Sequence, residues 1–140
     1  MVIAPAIKPV PMNAIETVDH LSTMCKGLLF PSESDYPLEA FRWKAATLNP
    51  ETIIERSHKP ADTSIEAIAL EEFLTPVTTD EDWFEDEDRE IAQRFRDLQA
   101  AIATLENVQV FKVGEIEIDV YIVGAIGSDV VGLKTTVVET

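Results

Sequence analysis

The chain predicts an α+β fold with a mainly antiparallel sheet, and three observations carry that prediction. The last third, from Val108 to Thr140, reads as successive β-runs with turn signals between them. Two earlier stretches, near residues 13–28 and 86–105, repeat apolar residues at helical spacing. Helices therefore come before and between strands, which implies layers of α and β. The 140 residues suit one domain, and no internal repeat is visible.

The first stretch, "MVIAPAIKPVPM", is apolar but interrupted by Pro5, Pro9 and Pro11. It lacks the unbroken apolar region and the basic start of a signal peptide. Residues 1–12 are expected to form a proline-rich N-terminal tail, and 13–140 a single domain. A first helix is expected from Asn13. Asn13 caps it, with Glu16 three residues on as in a capping box. Ala14, Val18, Leu21, Cys25 and Leu28 share one face, and Gly27 is a stop signal. "PSESDYP" is a proline-bracketed loop. "LEAFRWKA" reads as a strand with Phe41 and Trp43 on one face. "NPETIIERSHK" starts a helix at the Asn49 cap with Pro50 in the first position. "SIEAIALEEFL" is rich in helix formers, but Ile68, Leu70 and Leu74 alternate with Glu66 and Glu72, and a strand is expected.

Thr79 and Asp82 have capping-box spacing and predict a short helical turn. A long helix is expected over Asp86–Leu105, with Ile91, Phe95, Leu98, Ile102 and Leu105 as its apolar stripe. "VQVFKV" and "IEIDVYIVG" then form strands joined at Gly114-Glu115. Ile116, Ile118, Val120 and Ile122 are expected to point one way, and Glu117, Asp119 and Tyr121 the other. Ile126 to Asp129 supplies a turn, and "VVGLKTTVVET" returns as the last strand of an antiparallel meander.

Aspartate and glutamate number 26 against 11 lysines and arginines, a formal charge of −15. Such a surface repels nucleic acid and anionic membranes, because phosphate contacts need cations. It attracts basic partners, although acidity also serves solubility alone. No stretch is long enough to span a bilayer, so a cytoplasmic location is expected. The single cysteine, Cys25, excludes an intrachain disulfide and is expected to be a small buried hydrophobe. His20 and His58 have no companion at metal-ligand spacing. No glycine-rich phosphate loop, nucleophile elbow or Cys–His set is present, so no enzyme activity is expected.

Three features remain as candidates. "DEDWFEDEDRE" packs eight acids into eleven residues. It lacks the glycine and ligand spacing of a calcium loop, and reads as a solvated helix start. Trp83 within it either fills the core or anchors a partner. In "SESD", Glu33 is either a presented carboxylate or ordinary loop polarity. Thr140 either ends an edge strand or offers a hydroxyl and a terminal carboxylate, oxygen donors of the type Mg²⁺ accepts.

"GLLFPSESDYPLEAFRW", "TTDEDWFEDEDRE" and the segment from "VQVFKVGEIEIDVYIVG" to "TTVVET" resemble the nuclease A inhibitor family. The similarity runs from about Lys26 to Thr140, more weakly over the first helix and from Lys44 to Pro76. The resemblance implies a three-layer α-β-α sandwich, similar to plant pathogenesis-related proteins. It implies a non-catalytic inhibitor of a sugar-non-specific DNA/RNA endonuclease with a ββα-metal active site. The expected complex is one-to-one, with no direct nucleic-acid binding and no membrane contact. The chain needs no cofactor of its own, and Thr140 is expected on the Mg²⁺ of the target nuclease. The partner-binding residues implied are Glu33, Ser34, Asp35, Glu81, Asp82, Trp83, Glu139 and Thr140. The family has an amide where this chain has Glu81. An acidic interaction module with a different basic partner is the alternative.

Overall fold

A computed structural model describes residues 13–140. The tail expected over residues 1–12 lies outside the described residues. Chain order gives α1 (Ala14–Met24), β1 (Leu29–Phe30), β2 (Tyr36–Pro37), β3 (Glu39–Trp43), α2 (Pro50–Ser57), β4 (Ile65–Ile68) and α3 (Leu70–Thr78). These are followed by α4 (Asp86–Ile102), β5 (Glu106–Val113), β6 (Glu117–Ile126) and β7 (Asp129–Val138). The architecture is α+β. A five-stranded antiparallel sheet runs in the order β3-β7-β6-β5-β4, and β1 pairs with β2 in a separate two-stranded sheet.

The predicted caps are present. The Asn13 side chain accepts the Glu16 amide at 2.8 Å, and Asn49 accepts the Thr52 amide at 2.8 Å. Each satisfies one of the free amides at a helix start. Cys25 is buried, its thiol donates to the Leu38 carbonyl at 3.4 Å, and burial pushes its pKa up.

Both faces of the sheet carry apolar side chains. On one, Ile118, Val120, Ile122, Leu133 and Val137 pack with residues of α1, α3 and α4, including Leu21, Leu74 and Leu98. On the other, Ile53 of α2 packs with Phe111, Val113, Tyr121, Val123 and Val130. Phe41 and Trp43 join this second cluster, as their shared face predicted. The side of β6 that carries Tyr121 is thus a second core. Burial, and secondarily the charge of Asp119, pushes the Tyr121 hydroxyl up to about 12.

Several expectations need correction. "SIEAIALEEFL" is a strand only as far as Ile68. Ala69 then caps α3, so Leu70 and Leu74 lie on a helix. Alternation over so few residues does not separate a strand from a helix that meets the same core. Thr79 ends α3 instead of opening a turn of helix, and its hydroxyl donates to the Thr75 carbonyl at 2.8 Å. The capping box belongs to Glu85 and Asp88, and α4 ends at Ile102. Ile91 is 42% exposed, and Ala92 takes its place in the buried stripe. Ile116 leaves the apolar row of β6 for a turn and is 62% exposed. The final strand is no edge: β7 lies between β3 and β6.

At the far end of β7, Asp129 accepts the Ala45 amide at 2.9 Å and the Arg42 guanidinium at 2.8 Å. Those two bonds hold its carboxyl below the usual carboxylate value. They tie the loop after β3 to the β6–β7 turn.

Candidate functional site

Phe30 is buried, stacks on Phe73 with centroids 4.8 Å apart, and meets Phe95 edge-on at 6.0 Å. That aromatic cluster anchors β1 in the core. The other limb is held by β7, whose Thr135 hydroxyl donates to the Pro37 carbonyl at 3.0 Å. The loop Pro31–Asp35 is therefore fixed at both ends and crosses the end of β7.

Hydrogen bonds complete the crossing. The Val138 amide donates to the Ser32 hydroxyl oxygen at 3.1 Å, and Ser32 donates to the Ser34 carbonyl at 2.6 Å. The Glu33 amide donates to the Val138 carbonyl at 3.4 Å. The Glu33 carboxylate accepts the Thr140 amide at 3.1 Å and the Thr140 hydroxyl at 2.7 Å. Bonds to an ionised acceptor are the stronger kind. Two sites separated by more than a hundred residues in sequence thus form one unit. Glu139 beside them accepts Lys112 Nζ at 3.1 Å, and its own amide donates to the Ile116 carbonyl at 2.8 Å.

A groove of about 640 Å³ opens at this unit, lined by Glu33, Glu72, Phe73, Lys112, Glu139 and Thr140 among others. A second groove, of about 780 Å³, includes Asp35, Glu81, Trp83, Phe84 and Ile91. The two share Pro31, Pro76 and Val77, so they form one continuous surface. Five acidic side chains line the second groove and three the first. Arg94, a cation in the second, is tied off on the Met24 and Lys26 carbonyls at 3.1 and 2.7 Å.

Exposure removes one of the two alternatives for Trp83. Its side chain is 73% exposed, so it does not fill the core, and it meets Phe84 edge-on at 4.7 Å. It sits in an irregular turn closed by the Phe84 amide donating to the Glu81 carbonyl at 3.0 Å. The acid run around it is a turn followed by the start of α4, where Asp86, Glu87 and Asp88 occupy the first turn.

All eight sequence candidates are exposed. Glu33, Glu139 and Thr140 line the first groove; Asp35, Glu81 and Trp83 line the second. Ser34 and Asp82 line neither, and lie in the same two loops. Sequence reasoning missed Ser32, which joins the loop to Val138, and Lys112, the cation beside Glu139. It also missed Leu29 and Ile91, exposed apolar residues at the second groove. No sequence signal separated those two from core residues, because each belongs to an apolar run. Among the described residues, no three His, Cys, Asp or Glu side chains cluster as a metal site. No helix there is long and apolar enough to cross a membrane.

Comparison with curated proteins gives no match. Comparison with family models does: the model described as nuclease A inhibitor-like protein matches residues 15–140. The match takes in every helix and strand from Ile15 onward, including both loops of the groove surface and the end of β7. The chain belongs to the nuclease A inhibitor-like family.

Proposed function

We propose that this protein inhibits a metal-dependent, sugar-non-specific nuclease by inserting the Glu33–Thr140 unit into its basic active-site cleft. One observation carries the reading: Glu33 and Thr140 are bound together on an acidic surface continuous with Trp83. A cleft built for phosphates is basic, and carboxylates compete there by chemical likeness. The unit offers hydroxyl and carboxylate oxygens, the donor type Mg²⁺ accepts. Thr140 would meet the Mg²⁺ of the partner nuclease, an ion that activates water and polarises phosphoryl oxygens there. Occupying that position blocks access without chemistry by the inhibitor, so the protein is read as no enzyme, with no cofactor of its own.

The partner proposed is a ββα-metal endonuclease in a one-to-one complex, met in the cytoplasm, with no direct binding of nucleic acid. Trp83, with Phe84 behind it, is an exposed aromatic of the kind enriched at hot spots. Ser34, Asp35, Glu81, Asp82 and Glu139 complete the proposed contact surface. The fold is proposed to be a three-layer α-β-α sandwich, similar to plant pathogenesis-related proteins. Its support is the pair of apolar clusters, one with α2 and the other with α1, α3 and α4.

Amide chemical shifts recorded while the cognate nuclease is added test this reading. Residues 32–35, 81–83, 139 and 140 are expected to shift or broaden together. Changes confined to α2 and β3 would refute it. They would favour instead an acidic interaction module docking a different basic partner elsewhere.

A further inference from the structure

Ile116 occupies the tip of the β5–β6 turn, with φ at 66° and 62% of its surface exposed. Each property is unfavourable for isoleucine. The left-handed region crowds any L-residue with a Cβ, and a branched Cβ makes it worse. Exposure leaves a large apolar side chain in water. Glycine or asparagine would fit the same turn more easily.

The turn's structural task is met by backbone: the Ile116 carbonyl accepts the Glu139 amide at 2.8 Å. Any residue that adopts the turn supplies that carbonyl. Four other large hydrophobic residues are exposed among the described residues. Leu29, Trp83 and Ile91 line the second groove, and Ile15 lies on α1. None of the four has a positive φ.

Backbone strain retained at an exposed position is an observation that points to function. The position itself indicates which function. The hydrogen bond to Glu139 places the turn one residue from Thr140. Glu115 and Glu117 flank Ile116 in sequence, the Glu139 backbone bonds to it, and all three are exposed; Lys112 pairs with Glu139, and Lys59 with Asp119, at the same end of the sheet. An apolar side chain between Glu115 and Glu117, neither in an ion pair among the described residues, complements an apolar spot beside lysine or arginine.

We propose that Ile116 is a further anchor for the partner nuclease, seated on an apolar patch at the rim of its basic cleft. This extends the contact surface beyond the two grooves, and it rests on the inhibitor reading. The anchor is displayed at a cost to stability, so stability and binding respond to its replacement with opposite signs.

The test is a pair of variants, Ile116→Asn and Ile116→Gly, each measured for melting temperature and for inhibition constant against the cognate nuclease. Ile15→Asn serves as the control for loss of an exposed apolar side chain. In both Ile116 variants the melting temperature is expected to rise by about 3 °C as the turn relaxes. Inhibition is expected to weaken about tenfold, the scale of one lost apolar anchor. Ile15→Asn should leave inhibition unchanged. Unchanged inhibition in both Ile116 variants would overturn the proposal. So would a fall in melting temperature, which would make Ile116 a packing residue. The native protein is assayed alongside. If it does not inhibit, the inhibitor reading has failed, and the melting temperatures still report separately on strain in the turn.

Discussion

A short peptide fused after Thr140 is expected to weaken nuclease inhibition by about a hundredfold or more, whereas the same peptide fused before Met1 leaves it nearly unchanged. Deleting Thr140 should do similar damage. The reason lies in the Glu33–Thr140 unit. Glu33 holds both the amide and the hydroxyl of Thr140, which fixes the direction in which Thr140 points. A residue already ordered in the free protein loses less entropy on binding. Truncating one partner of a desolvated, hydrogen-bonded charged contact costs roughly 2–5 kcal/mol, a factor of about thirty to a few thousand. Folding should barely notice either change. Thr140 is exposed, and Val138 keeps its own bonds to Ser32 and Glu33. Melting curves that overlay the native protein, together with weakened inhibition, are the expected result. Equal inhibition by both fusions would contradict the terminal contact.

Stability is expected to depend most sharply on Gly132, in the middle of β7. A Cβ there would fall on the carbonyl oxygen of Ile122 in the neighbouring strand β6. The obstacle is backbone, and β7 is flanked by β3 and β6, so neither side can give way cheaply. Gly132→Ala is expected to cost about 3 kcal/mol or more, the upper range for overpacking. The melting temperature should fall by roughly 10 °C. Gly27→Ala is the informative comparison. Gly27 has φ of 73° but nothing within 4 Å of an added Cβ. Its cost is conformational alone, about 1 kcal/mol. Thermal melts of the two variants check the ranking. Similar losses in both would show that β6 and β7 are not so closely applied.

How much of this was legible in the sequence follows from the range of each interaction. Caps were readable, since Asn13 and Asn49 act on amides three residues away. The meander was readable too, because its strands are long, alternate cleanly and are joined by short turns. The end of β4 was not. Ile68, Leu70 and Leu74 face the same core from a strand and then a helix, so their spacing fits either element. Ile91 and Ile116 each continue an apolar row by pattern and leave it in space, Ile91 at the groove rim and Ile116 at a turn. The interior place of β7 was invisible because its partner β3 is about ninety residues earlier. The candidate residues show the same division. Residue type and family resemblance singled out Glu33, Trp83 and Thr140. Only the fold shows Glu33 bonded to Thr140, and a groove surface joining that pair to Trp83.

Titration of the purified protein into a digestion assay with the cognate nuclease and Mg²⁺ tests the inhibitor reading most directly. Residual activity is expected to fall in a straight line and reach zero at one inhibitor per nuclease. Undiminished digestion of both DNA and RNA at a large excess of the protein would contradict it.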